Sequence, residues 1–428
     1  MKHVIRKNDR DRRVIEAIVR RFGPISRVDI HELTHLQLSE ISRLTRQLLA
    51  EGKLLEAGRA NNRMGRKQVL LAPNEKHAFV VGVGVDDENV LAAVMDLHPT
   101  MKSYVSEQTC LKSGASGLLS QVLACAAKAI EQAGVRPESL VGIGVACSGL
   151  VNNREGTLIL SSTLELWKRV PLQEIFQREF GVPTLVENIT RAKTVAERTL
   201  GAGAMAEDMI YVEYGRTGIG AGIVTSGKLV YGSGFAAGEF GHTHILVGGP
   251  ACKCGSFGCL EATAGAAALE AKFRKAVAEG GRSQALELVD GDESKITGWT
   301  VLQAAQMGDK TCAALVEHVG NYLGLGLANL VNLFNPSTLV LDRRLSAAGS
   351  TLLEQITKIV KRQALSVSTR DLVIRFGKLG DEASVLGAGS FVLEKHFEIP
   401  GLKLPRFMIE SELPPRSRAP HLERIADC

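Results

Sequence analysis

Residues 79–88 read Phe79-Val80-Val81-Gly82-Val83-Gly84-Val85-Asp86-Asp87-Glu88, and residues 140–149 read Leu140-Val141-Gly142-Ile143-Gly144-Val145-Ala146-Cys147-Ser148-Gly149. Each opens with a short apolar run, the pattern of a strand buried on both faces. Val90 to Leu97 follows the first as its hairpin partner, and a helix is predicted from about Gly117 to Ala133. A third version opens the second half: Met209 to Glu213, then Gly215-Arg216-Thr217-Gly218-Ile219-Gly220-Ala221-Gly222-Ile223. Strand and hairpin units leading into glycine loops, present in both halves, predict an α/β body of two related lobes around a cleft. Glycine loops there are natural phosphate cradles, because backbone N–H groups can approach an anion with no Cβ in the way. Tight turns use the same residue, so glycine spacing alone does not assign them.

The chain is long enough, at 428 residues, for a further domain beside this body. It contains no apolar run long enough to span a membrane. Its N-terminus, MKHVIRKNDRDRR, is charged throughout and does not resemble a secretory signal, so a cytoplasmic protein is expected. Residues 1–74 carry 16 Lys/Arg against 8 Asp/Glu, while the remainder is slightly acidic. A basic head on an acidic body fits a protein that presents one end to a polyanion.

The head reads as three helices and a hairpin. Val14, Ile15, Ala17, Ile18 and Val19 form an apolar stripe, which Phe22 extends and Gly23-Pro24 ends. Ser26 caps a short second helix, Arg27 to Leu33, with Asp29 in the place of the capping-box Glu. A turn at Thr34-His35-Leu36 leads to a third helix, Leu38 to Glu51, whose inner face is Ile41, Leu44, Leu48 and Leu49. Two strands, Lys53–Glu56 and Gln68–Leu71, flank a basic tip. This is the pattern of an N-terminal winged helix-turn-helix spanning residues 1–74. The third helix would present Gln37, Ser39, Glu40, Ser42, Arg43 and Arg46 to base edges. The wing would bring Arg63, Arg66 and Lys67 to phosphates or the minor groove.

From about residue 75 to 397 the chain resembles the ROK family (repressors, open reading frames and sugar kinases), and with its head it resembles that family's winged-helix repressor branch. The most specific match is Ala237-Gly238-Glu239-Phe240-Gly241-His242, followed by Cys252-Lys253-Cys254-Gly255-Ser256-Phe257-Gly258-Cys259-Leu260-Glu261. Val186-Glu187-Asn188, Trp167 before Val170-Pro171-Leu172, and Asn332-Leu333-Phe334-Asn335-Pro336 add to it. The resemblance implies a two-lobed, actin-like (ribonuclease-H-like) sugar-kinase fold. Its first lobe would take residues 75–190 with a helix near 383–397, and its second residues 191–382. Residues 399–428, with five prolines, are expected to form an irregular tail.

The resemblance also implies a sugar pocket of Asn188, Glu239, His242 and Glu261, a fitting set of acceptors and donors for vicinal hydroxyls. Three thiols and an imidazole, Cys252, Cys254, Cys259 and His242, match a closed structural zinc site. His244 lies close enough to compete, but the Gly-His of the motif points to His242. Against this stand three departures from the family's kinases. Asp86-Asp87-Glu88 occupies the place of their phosphate loop, where carboxylates would repel ATP. The Asn-Asp pair that supplies their general base is here Asn188-Ile189, and isoleucine accepts no proton. Asp342-Arg343 replaces Gly-Gly near their adenine pocket. The expected protein is therefore a sugar-responsive transcriptional repressor without catalytic residues, acting as a homodimer or homotetramer on operator DNA. Two other readings remain open: an active sugar kinase, and a DNA-binding regulator that has lost its sugar.

Overall fold

The structure is a computed structural model that describes residues 7–61, 67–280 and 283–398. Its chain divides into an N-terminal unit of the residues up to Pro73 together with Phe397 and Glu398, and a larger unit, Asn74–His396; the tail expected over 399–428 lies outside the described residues.

In the N-terminal unit, α1 (Lys7–Phe22) is followed by a two-residue strand β1 (Ile25–Ser26) and by α2 (Arg27–Thr34), α3 (Leu38–Ala50), β2 (Leu54–Asn61) and β3 (Lys67–Pro73). Ser26 Oγ accepts from the Asp29 amide at 3.2 Å, and Asp29 accepts from the Ser26 amide at 3.1 Å, a reciprocal cap that starts α2. His35, in the left-handed region, stops α2 and opens the turn to α3. Ile15, Ile18, Ile30, Ile41, Leu44 and Leu48 share one core with Leu54 and Leu71. The hairpin is in fact part of a three-stranded sheet ordered β1-β3-β2. A two-residue strand carries no periodicity, which is why the sequence reading had no β1.

The larger unit holds two five-stranded sheets of one topology. The first consists of β4 (Phe79–Val85), β5 (Asn89–Met95), β6 (Met101–Gln108), β7 (Leu140–Cys147) and, after the small sheet of β8 (Leu150–Asn152), β9 (Thr157–Leu160) and β10 (Lys168–Val170), β11 (Thr184–Asn188). Helix α4 (Gly114–Ala133) follows β6, α5 (Leu172–Phe180) follows β10, and α6 (Ile189–Thr199) continues directly from β11. The second sheet consists of β12 (Met209–Tyr214), β13 (Ile219–Thr225), β14 (Lys228–Leu229), β15 (Thr338–Leu341) and β16 (Val373–Phe376). Helices α7 (Leu260–Ala264), α8 (Ala266–Ala278), α9 (Gly298–Gln306) and α10 (Lys310–Phe334) lie between β14 and β15; α11 (Ser350–Gln363) and α12 (Ser366–Thr369) precede β16, and α13 (Ala383–His396) follows it.

The strand orders are β11-β7-β4-β5-β6 and β14-β13-β12-β15-β16. In each sheet the first strand is central, antiparallel to its hairpin partner and parallel to the fourth strand. This repeat is the actin-like duplication. Its glycines serve helix packing. A Cβ on Gly144 would lie 2.0 Å from the Ala388 carbonyl of α13, and one on Gly222 would lie 1.7 Å from Thr194 Oγ1 of α6. The glycines of β4, β7 and β13 thus let α13 and α6 approach the sheets. Gly149, Gly215 and Gly218, outside these strands, line the cleft.

Candidate functional site

The turn after β4, the ends of β7 and β11, the β12–β13 turn and the segment 237–242 meet around one cleft, at the carboxyl ends of the parallel strands. Asn188, Glu239, His242 and Glu261 all line it. Asn188 ends β11 and caps α6: its Oδ1 accepts from the Arg191 amide at 3.1 Å, and its Nδ2 donates to the Gly149 carbonyl at 2.9 Å. This fixes the amide and leaves one N–H and one lone pair for a ligand. Glu239 is half-exposed. Glu261 sits on α7 and accepts from the Ile219 amide at 3.2 Å, and burial pushes its carboxyl above the usual range against the pull of His242.

His242 joins this pocket to a second cluster. Its Nδ1 lies 3.6 Å from Cys252 Sγ, and its Nε2 lies 3.9 Å from Glu239 Oε2. Cys254 Sγ and Cys259 Sγ are 3.7 Å apart, and one ligand atom from each of the four residues falls within 4.8 Å of the others. A tetrahedral ion with metal–sulfur bonds of about 2.3 Å places its sulfurs roughly 3.8 Å apart, so the spacing suits a metal. A left-handed turn at Gly258 brings the two ends of the loop together; a Cβ there would strike the Leu246 carbonyl at 1.9 Å. His244 stays outside the cluster, with Nδ1 on the Phe257 carbonyl at 2.8 Å.

The other end of the cleft is rebuilt. Ile189 is buried against Ala146, Ala192 and Ala388, with no acid in its place. Asp342 is buried and accepts from Tyr211 Oη at 3.2 Å and from the Arg344 amide at 2.9 Å. Burial raises its carboxyl, against the pull of Lys193 and Arg344. The Arg344 guanidinium donates to Glu88 and to Asp381, each at 2.8 Å, and lies over the Trp299 ring. Beneath the cleft, Lys193 donates to Glu213 at 2.6 Å with both side chains buried, and Thr190 donates to the same carboxylate. Burial pushes Glu213 up, yet Lys193 and the two hydrogen bonds hold it below its usual 4.5. Arg191 donates to Glu187 at 2.7 Å and to the Phe235 carbonyl at 3.1 Å, tying α6 to the segment that precedes Glu239.

None of Arg344, Asp381, Lys193, Glu213 or Arg191 was singled out from the sequence. Only the Glu187/Arg191 pair left a local trace, the four-residue spacing of a helical ion pair. Trp167 is a packing residue, almost fully buried, with Nε1 on the Ala115 carbonyl.

In the N-terminal unit, Gln37 is the N-cap of α3, and Gln37, Ser39, Arg43 and Arg46 are exposed, with Ser42 and Glu40 half-buried. Glu40 accepts from Arg43 at 2.7 Å, so it orients that arginine. Gln47 shares the exposed face and was not among the candidates. Lys67 is exposed at the start of β3, while Arg63 and Arg66 lie outside the described residues.

A family model described as "ROK family" matches residues 80–395. The chain is similar to the xylose repressor of Caldicellulosiruptor bescii, with 31% identity over 378 residues that cover 88% of this chain and 93% of that one. It is 29% identical to the DNA-binding transcriptional dual regulator NagC of Escherichia coli (strain K12), over 91% of this chain and 93% of the relative. Among solved structures it resembles a ROK family transcriptional regulator described as a homolog of the E. coli MLC protein. That likeness has a TM-score of 0.77 and 23% identity, and covers 91% of this chain and 96% of the other.

Proposed function

The chain belongs to the ROK family, and from that premise we propose that it is a transcriptional repressor that binds operator DNA through its head and is released by a carbohydrate held in the cleft. One observation carries the reading: the cleft keeps a polar sugar-type pocket at one end while the other end has lost what phosphoryl transfer needs. Asn188, Glu239, His242 and Glu261 supply acceptors and donors for hydroxyls. A sugar hydroxyl lying beside Ile189 would meet no proton acceptor, and ATP phosphates would meet Asp86, Asp87 and Glu88. The protein is accordingly not a sugar kinase, which agrees with the repressor and regulator names of its relatives.

His242, Cys252, Cys254 and Cys259 would hold zinc through three sulfurs and Nδ1. Such an ion would supply no chemistry beyond cross-linking, because four protein donors would close its coordination shell. Held by these residues, it would brace the segment bearing Glu239 against α7 bearing Glu261, and His242 Nε2 would remain for the pocket. Gln37, Ser39, Ser42, Arg43 and Arg46 would read base edges, Glu40 would orient Arg43, and Lys67 with Arg63 and Arg66 would reach the backbone. A homodimer would match a palindromic operator with two half-sites. For release, the sugar must bind the two states of the protein unequally.

The test is DNA binding by the full chain, measured by fluorescence anisotropy on its own upstream region, against a panel of monosaccharides and their phosphates. Sequence-preferring binding that one carbohydrate weakens is expected, with no ATP-dependent phosphorylation of that carbohydrate. Absence of sequence-preferring binding would overturn the repressor reading, and preference without any carbohydrate response would favour a regulator that has lost its sugar.

A further inference from the structure

We propose that the residues standing where the nucleotide phosphates would lie form a clasp that holds the two lobes together without any nucleotide. The clasp starts from the turn after β4. Asp86 Oδ1 accepts from the amides of Glu88 at 2.9 Å and Asn89 at 2.7 Å, which shapes the turn and aims the next two carboxylates across the cleft. Asp87 accepts from Thr217 Oγ1 at 3.1 Å, in the β12–β13 turn of the second lobe. Glu88 accepts from Arg344 Nη1 at 2.8 Å, just beyond β15 of the same lobe. The two side chains of this ion pair are only 20% and 22% exposed.

Both partners are prepared from behind. Arg344 is held by Asp381 on its other nitrogen, by the Trp299 ring beneath it, and through its backbone by Asp342. A guanidinium already held at two points, on a backbone anchored at a third, loses little freedom in meeting a carboxylate, which is where an isolated surface pair loses most of its value. In a kinase of this fold the nucleotide brings charge to this end of the cleft. Here each lobe brings its own, and the charges are opposite. Closure is thus a property of the chain alone, and the sugar end would face a pocket assembled beforehand. The proposal does not rest on the repressor reading, because closure is measured with neither sugar nor DNA present.

Amide hydrogen exchange followed by mass spectrometry tests it on the full chain. Glu88→Gln removes the cross-cleft carboxylate, spares the Arg344–Asp381 contact and changes only a partly buried turn residue. Exchange is expected to rise on both sides of the cleft, in residues 86–89 and 215–218, by on the order of fivefold. Arg344→Gln should do the same, and the double substitution should add little to either single one. The exchanged pair, Glu88→Arg with Arg344→Glu, would set an acid at position 344 beside Asp381, so Arg344→Lys is used instead; it keeps the charge but not the two-sided fork and should restore only part of the protection. A rise confined to residues 86–89, or no rise in either segment, would overturn the clasp. Should Arg344→Gln fail to fold, Glu88→Gln alone decides the matter.

Discussion

One end of the cleft is a pocket of separate polar groups beside a metal-type cluster, and the other is an ion-paired bridge. At the first end Glu239 is half-exposed and His242 turns one nitrogen to Cys252 and the other toward Glu239. At the second, Arg344 has a partner on each terminal nitrogen. Hydrogen-bonding capacity left unspent marks a surface for ligand, whereas capacity satisfied within the chain marks structure. The contrast would let a kinase-like fold keep one ligand and abandon the other, although the ends share the β12–β13 connection: Thr217 meets Asp87 at one, and the Ile219 amide meets Glu261 at the other.

The severest way to break the contrast is to remove the brace at the pocket end. Cys254→Ser should lower bound zinc from about one ion per chain toward zero and cost several kcal/mol of stability, since binding energy at a structural site is folding energy. Metal analysis together with a melting curve checks it; unchanged zinc content would show that these four residues are not the ligands.

Next in size is the buried pair beneath both ends. Lys193→Met should destabilise by about 3–5 kcal/mol at neutral pH, because it leaves the Glu213 carboxylate buried without its cation. Glu213 also carries a pH signature. Its folded pKa is depressed, so its stabilisation is present above the unfolded value and is lost as pH falls below 4.5. The stability gap between the unmodified chain and Glu213→Gln, from urea midpoints, should therefore narrow on acidification from pH 5 to pH 3. A gap that widens would show that the pair does not carry this charge.

A finer cut separates binding from folding. Glu239→Gln should weaken carbohydrate binding by roughly tenfold to a hundredfold, the value of a hydrogen bond to a charged group, and leave the melting temperature unchanged because the side chain is exposed. Calorimetry with the responsive sugar reads it, and equal affinity would remove Glu239 from the pocket. The smallest effect lies outside the cleft and serves as its control. Lys67→Ala should reduce the slope of log affinity for DNA against log salt by about one, equally for all sequences, with no change in sugar affinity.

Much of this was legible from residues in order. The apolar runs of β4, β7 and β12, the cap at Ser26 and the face of α3 are local patterns, and local patterns set local structure. The thiol spacing likewise announced a cluster whose cysteines lie within eight residues. The acid run at Asp86–Glu88 was read only as hostile to phosphate, and not as a set of anchors. Its partners are distant in the chain: Thr217 by 130 positions and Arg344 by 256. No periodicity spans such a distance. The role of the strand glycines was not legible for a related reason, since only the folded chain reveals the carbonyl of Ala388 or the hydroxyl of Thr194 that a Cβ would strike.

By itself, then, the order of residues determined the class of each lobe, the helical head and the zinc-type donors, which follow from side-chain chemistry and from spacing along one element; only the family resemblance marked residue 189 as the place of a proton acceptor. The tertiary structure alone decided which charges meet across the cleft, which nitrogen of His242 faces which neighbour, and why the strands need glycine. Each of these depends on packing between elements, and packing is settled by the whole core at once.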